Sequence, residues 1–117
     1  YVKPHGFSND APEQLLNQIA EENDIVLTAI GDCGSCCSCC IRDAVSLEDR
    51  GIPSAAIITT EFVNETRLTR EAIGMPDLRP VVIEHPVSSI TDEEVNQRVQ
   101  KIKVQAQEVW LGQRADI

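Results

Sequence analysis

All five cysteines of the chain lie in one eight-residue stretch, CGSCCSCC at positions 33–40. This stretch constrains the chain more than any other feature, because disulfides formed within it would close loops of only a few residues. They could not tie distant segments together. An odd number of cysteines also cannot pair completely within one chain. The stretch therefore points to chemistry: thiol redox exchange, nucleophilic thiolate catalysis, or ligation of a metal or iron–sulfur cluster.

The size and charge of the chain narrow its class. Its 117 residues predict a single α/β domain, 1–117, large enough to fold around a core without disulfides. The first residue is Tyr1 and not Met, so this domain could be the C-terminal part of a longer chain. A net charge of −9 disfavours nucleic acid and anionic membranes as partners. With no apolar run near the roughly 20 residues of a membrane span and no signal peptide, we expect a cytoplasmic location.

Apolar runs alternate with helical patterns along the chain. Strands are predicted at 25–30, 55–59 and 80–83, each a continuous apolar run as expected for strands buried on both faces. Helices are predicted at about 11–23, with a cap at Asn9 or Asp10 and Pro12 in the first turn, at 36–50, at 63–73, and from a Thr91–Glu94 capping box onward.

This order predicts an α/β fold, an open three-layer sandwich of Rossmann or flavodoxin type with a small, mainly parallel sheet. Three strands make a thin sheet, which a strand preceding residue 1 or a partner subunit would complete. The open strand edges favour a homo-oligomer or a subunit of a hetero-oligomer over a monomer.

The cysteines fall at the carboxyl edge of the predicted sheet, where ligand sites of open α/β sheets lie. Cys33 leaves the first strand and Cys36 opens the following helix, whose positive end favours a thiolate and lowers the pKa of its cysteine. Gly34 permits close approach of a bound group, and Ser35 is predicted to cap the helix. Asp32 opposes a thiolate unless it accepts a proton or holds the turn.

Two further candidates follow the other strands at the same edge. His85 comes after the third strand and is a credible proton donor or acceptor, since imidazole titrates near physiological pH. A turn histidine is the equally weighted structural interpretation. Glu61 follows the second strand and is a weaker candidate, because acids at strand ends also serve solubility.

Spacing divides the cysteines into two groups. Cys33-Gly-Ser-Cys36 is a C-x-x-C redox motif, and Cys39, on the same helical face as Cys36, is a resolving thiol or a third metal ligand. Cys37 and Cys40 are interpreted as small core residues.

A metal site is the alternative interpretation of the same spacing. It uses Cys33, Cys36 and Cys39, with Asp43 or His85 as a fourth ligand to an iron–sulfur cluster or another metal.

The chain resembles the UGSC-motif family, small proteins named for a selenocysteine- or cysteine-Gly-Ser-Cys signature. The resemblance rests on Gly-Asp-Cys-Gly-Ser-Cys at 31–36, Arg-Asp-Ala at 42–44, Gly-Ile-Pro at 51–53 and His-Pro at 85–86. It spans about residues 11 to 111, and the family is distantly similar to the selenoprotein B subunit of glycine reductase-type complexes. The resemblance implies a thiol or selenol centre, with Cys33 at the selenocysteine position, Cys36 as its pair and Cys39 as a further cysteine. Family members carry an additional strand and helix before the region where this chain begins.

Three functional hypotheses remain open at this stage. The first is a thiol-dependent oxidoreductase or reductive-cleavage component, acting on a small molecule and regenerated by an external dithiol. The second is a metal- or iron–sulfur-binding subunit of a larger complex. The third is a regulatory domain whose cysteines sense oxidants without turnover.

Overall fold

The computed structural model describes residues 1–6 and 8–112, and it contains a parallel three-stranded sheet with helices on both faces. This architecture confirms the predicted open α/β sandwich. In chain order the elements are α1 (Glu13–Glu22), β1 (Val26–Gly31), α2 (Gly34–Glu48), β2 (Ser54–Thr59), a 3-10 turn (Thr60–Phe62), α3 (Val63–Ala72), β3 (Val81–Ile83) and α4 (Asp92–Trp110).

The sheet is ordered β1-β2-β3, with β2 at its centre and buried along its whole length. Val26 of β1 lies opposite Ser54 of β2, and the register shifts between Thr28 and Gly31. Because all three strands are parallel, their carboxyl ends meet at one edge, as the sequence predicted.

Two apolar clusters hold helices against the two faces of the sheet. On one face, α2 and α3 pack against β2, and on the other α4 covers β2 and β3. Helix α1 packs against the end of α2 through Leu16, Ile19 and Leu47. Gln105 of α4 binds the outer edge of β3, with its amide accepting from Val82 N at 2.9 Å and donating to Val82 O at 2.8 Å.

Strand β1 departs from the prediction that every strand is buried on both faces. Its residues alternate between half-buried and exposed up to the buried Gly31, and Leu27 is 44% exposed. The physical reason is that α4 packs mainly against β2 and β3, so that one face of β1 is partly uncovered, although Trp110 of α4 donates to Val26 O at 2.9 Å. Hydrophobicity along a short run does not distinguish an edge strand from a central one.

Of the helix caps predicted for α1 and α4, the structure confirms the one at α4 and not the one at α1. Thr91 and Glu94 form the predicted capping box at the start of α4. The cap predicted at Asn9 or Asp10 is wrong, because α1 begins at Glu13 after an extended Pro12 that makes no side-chain cap hydrogen bond. Within the described residues, no helix is long and apolar enough to cross a membrane.

Candidate functional site

The turn between β1 and α2 places the first cysteine at the amino terminus of a helix. Cys33 is the N-cap of α2, and its sulfur accepts a hydrogen bond from Cys36 N at 3.2 Å. The predicted cap at Ser35 is wrong, because Ser35 is already the second residue of the helix and its side chain is exposed. The sulfur of Cys33 therefore takes the place that a serine or aspartate oxygen occupies in most helices. Backbone N–H groups at this end favour a thiolate there.

Cys33 and Cys36 are joined by a disulfide, with an S–S distance of 2.01 Å and a Cα–Cα distance of 5.1 Å. The two sulfurs lie in different surroundings. Cys33 is partly exposed, whereas Cys36 is 3% exposed and its sulfur lies 3.3 Å from Ser8 Oγ. An incoming group can therefore reach the first sulfur more readily than the second. Ser8 was not found from the sequence, because it precedes α1 and no local pattern links it to the cysteines.

Gly31 sets how closely the end of β1 approaches α2. A Cβ atom at this position would lie 2.8 Å from Ile58 Cγ2, which would force a shift, and 3.0 Å from Cys37 Cα, which is tighter than most real contacts. At Gly34, by contrast, a Cβ would meet no atom within 4 Å. The structure thus leaves open space at Gly34, and the tight packing falls on Gly31, which the sequence analysis did not single out.

His85 and Asp32 meet at the carboxyl edge of the sheet. His85 Nδ1 lies 2.9 Å from Asp32 Oδ1 and 2.9 Å from Thr59 Oγ1, and Thr59 in turn donates to Gly31 O at 3.4 Å. Two oxygen acceptors around one ring nitrogen favour the tautomer with its proton on Nδ1, since a lone pair there would face the carboxylate. The imidazole Nε2 then keeps its lone pair.

Asp32 is held in this position by its second oxygen. Val87 N donates to Asp32 Oδ2 at 3.3 Å, across 55 positions of sequence. Oδ1 is buried and receives no hydrogen bond of good geometry within the described residues, although it lies 2.9 Å from His85 Nδ1. The structure therefore brings His85 to Asp32, the residue that precedes Cys33. Through Val87 N, Asp32 also links the turn before α2 to the segment that follows β3.

Glu61 does not join this group. It lies exposed in the 3-10 turn, and within the described residues no hydrogen bond or ion pair links its side chain to the cysteines or to His85. Its neighbour Thr60 contacts the site instead, accepting from His85 N at 3.2 Å. The candidate role of Glu61 in catalysis gains no support from this position.

The three remaining cysteines are buried free thiols. Cys37 and Cys40 belong to the core between α2 and the sheet, which confirms their interpretation as core residues. Burial raises the pKa of the Cys40 thiol to about 12 and also raises that of Cys37, whose sulfur contacts Thr66 Oγ1 at 3.1 Å. Cys39 is 6% exposed, and burial, followed by the hydrogen bond and charge of Asp10, raises its pKa as well.

The described residues do not fit the alternative metal site. Within 1–6 and 8–112, no group of three or more His, Cys, Asp or Glu side chains is arranged to hold a metal ion. Asp43, the candidate fourth ligand, is buried and bound to Lys3 Nζ and to Ala11 N, each at 2.9 Å. Both of its carboxylate oxygens therefore bind the amino-terminal segment and link it to α2.

A cleft opens beside the disulfide. It has a volume of about 390 Å³ and is lined by Ile30, Asp32, Cys33, Cys36, Val87 and Ser88. It therefore gives a small molecule access to the cysteine pair, between β1 and the segment that follows β3.

Fold and site together define an α/β protein with a cysteine pair at a strand-to-helix turn. The model of the UGSC family matches residues 1–112, and the chain belongs to the UGSC family. The resemblance to the UGSC family is thereby confirmed, whereas the distant similarity to selenoprotein B stays a prediction. No curated protein and no solved structure matches the chain.

Proposed function

We propose that this protein is a thiol–disulfide oxidoreductase with Cys33 and Cys36 as its redox centre. The observation that carries the proposal is the disulfide itself, whose first sulfur caps a helix at the mouth of a cleft while the second is buried. The three other cysteines are buried thiols with raised pKa values, so the reactive chemistry falls to this pair.

The reaction begins from the reduced pair. The Cys33 thiolate attacks a disulfide R–S–S–R, forming a bond to one substrate sulfur and releasing the other as a thiolate that takes up a proton. Cys36 then loses its proton and attacks the Cys33 sulfur, which releases the second substrate thiol and forms the intramolecular disulfide. The substrate gains two electrons and two protons, and an external dithiol reduces the protein again by the reverse exchange.

In this proposal the helix amino terminus stabilises the thiolate and His85 transfers protons. The N–H of Cys36 and the dipole of α2 stabilise negative charge on the Cys33 sulfur. His85 Nδ1 is bonded to Thr59 Oγ1 and lies close to Asp32, and we infer that Nε2 accepts a proton from a thiol or returns one to a leaving thiolate. Asp32 acts here as a positioning residue.

The proposal is tested by trapping the mixed disulfide. Reduced Cys36→Ser is expected to accumulate a stable adduct on Cys33 with 2-hydroxyethyl disulfide, visible by mass spectrometry, because its resolving thiol is gone. Reduced Cys33→Ser should form the adduct at least tenfold more slowly. Cys39→Ser is the matched control on the same helix and should turn over like the wild type, using dithiothreitol as reductant. Equal adduct formation by the Cys33 and Cys36 variants, or loss of turnover in Cys39→Ser, would contradict this assignment.

A further inference from the structure

The cleft beside the disulfide is lined by apolar and acidic side chains. Its walls include two apolar side chains, Ile30 and Val87, one hydroxyl, Ser88, and one carboxylate, Asp32. Within the described part of the chain, no lysine or arginine lines it. A volume of about 390 Å³ restricts it to low-molecular-weight molecules or to a narrow end of a larger one.

The carboxylate is fixed and poorly hydrated. The Asp32 side chain is 19% exposed, its Oδ2 is bound by Val87 N, and its Oδ1 is buried against His85 Nδ1. Charges with little solvent around them are screened less than surface charges, so Asp32 acts on a bound molecule mainly through its field. It directly precedes Cys33, which the substrate must reach.

Acidic residues that follow the strands at this edge of the sheet add to the negative charge of Asp32. Glu61 follows β2, and the first turn of α4 carries Asp92, Glu93 and Glu94. The cations of α4 that reach this edge, Arg98 and Lys101, are both paired with Glu84. The whole chain has a net charge of −9. A cleft in such a surface concentrates cations and repels anions.

Resting on the function proposed above, we propose that the cleft selects small disulfides that carry cationic groups and discriminates against anionic ones. A disulfide flanked by ammonium groups meets Asp32 and the acidic edge favourably as Cys33 attacks. A disulfide flanked by carboxylates, as in oxidised glutathione, meets repulsion from the same groups. With interactions at an effective dielectric between those of protein and water, the two substrates should differ by about tenfold in rate.

The experiment compares three disulfides of similar size with the reduced protein at pH 8. Cystamine carries two ammonium groups, 2-hydroxyethyl disulfide is neutral, and 3,3′-dithiodipropionate carries two carboxylates. Each second-order rate is divided by the rate of the same disulfide with free dithiothreitol, which removes differences in intrinsic leaving-group reactivity. The expected order is cystamine, then the neutral disulfide, then dithiodipropionate, with the spread of about tenfold at low salt shrinking in 0.5 M NaCl.

Two variants locate the effect. Asp32→Asn keeps the acceptor for Val87 N and should reduce the normalised cation-to-anion ratio at least threefold. Glu93→Gln, an exposed change at the start of α4, is the matched control and should alter the ratio less than twofold. If Asp32→Asn does not fold, the salt dependence of the wild type still decides the question.

The outcomes distinguish a failure of the proposed charge selectivity from a failure of the proposed oxidoreductase function. Normalised rates that are equal, inverted or independent of salt, with the neutral disulfide still reacting, would overturn the charge selectivity alone. Failure of the neutral disulfide to oxidise the Cys33–Cys36 pair would instead refute the oxidoreductase function.

Discussion

The sharpest consequence of the structure concerns which thiols of the reduced protein react. Burial raises the pKa of the Cys40 thiol to about 12, so that at pH 7.5 only about 3 in 100,000 of these groups are thiolates, against about 1 in 10 for an ordinary thiol of pKa about 8.5. Thiolate fraction alone therefore slows Cys40 by about 3,000-fold. Its 1% exposure slows it further. Burial also raises the pKa values of the Cys37 and Cys39 thiols, so we expect both to react slowly.

The assay is anaerobic titration of the dithiothreitol-reduced protein with a chromogenic disulfide reagent, before and after unfolding in guanidinium. We expect a fast phase of two equivalents, because the reagent attacks Cys33 and the buried Cys36 then displaces it by forming the disulfide, and a slow phase of three thiols that become fast on unfolding. In Cys33→Ser the fast phase should disappear, because Cys36 is buried. Three or more fast thiols in the folded protein would refute the reasoning. So would a metal near one atom per chain that protects Cys33 and Cys36, measured on the same sample.

Two further predictions concern stability. Gly31→Ala should lower the free energy of unfolding by about 1–3 kcal/mol in urea, because its Cβ would lie 2.8 Å from Ile58 Cγ2, whereas the control Gly34→Ala should change it by less than about 0.5 kcal/mol. The Cys40 thiol, whose pKa burial raises to about 12, should make stability fall with pH. The unfolded chain loses this proton above about pH 8.5 while the folded chain keeps it, so the contribution is complete below that pH and declines by about 1.4 kcal/mol per pH unit toward pH 12. Cys40→Ala should remove this share of the slope in urea unfolding of reduced protein between pH 8 and 10.

The sequence predicted the elements and the edge at which the site lies, because both follow from local patterns. Continuous apolar runs identified the strands, and Thr91 with Glu94 marked the start of α4. Parallel connection then required the carboxyl ends of the strands to share an edge, which placed Asp32 and His85 in one region before any contact was known.

Details that depend on distant parts of the chain were not predictable in this way. Val87 N reaches Asp32 across 55 positions, and Lys3 reaches Asp43 across 40, with no periodicity linking either pair. The choice of Cys33 over Ser35 as the cap depended on where α2 begins, and helix boundaries are the least certain part of a sequence pattern.

The helix explains why five adjacent cysteines are not equivalent. Cys33 lies outside the first turn as its cap, so its sulfur faces the helix amino terminus and the cleft. Cys36 and Cys39, three positions apart, lie toward the amino-terminal segment, where Ser8 contacts the first and Asp10 raises the pKa of the second. The remaining two, at positions 37 and 40, point into the core. A 3.6-residue period thus divides five neighbouring cysteines into a partly exposed sulfur, its buried disulfide partner and three buried free thiols, and the proposed redox function uses the first two.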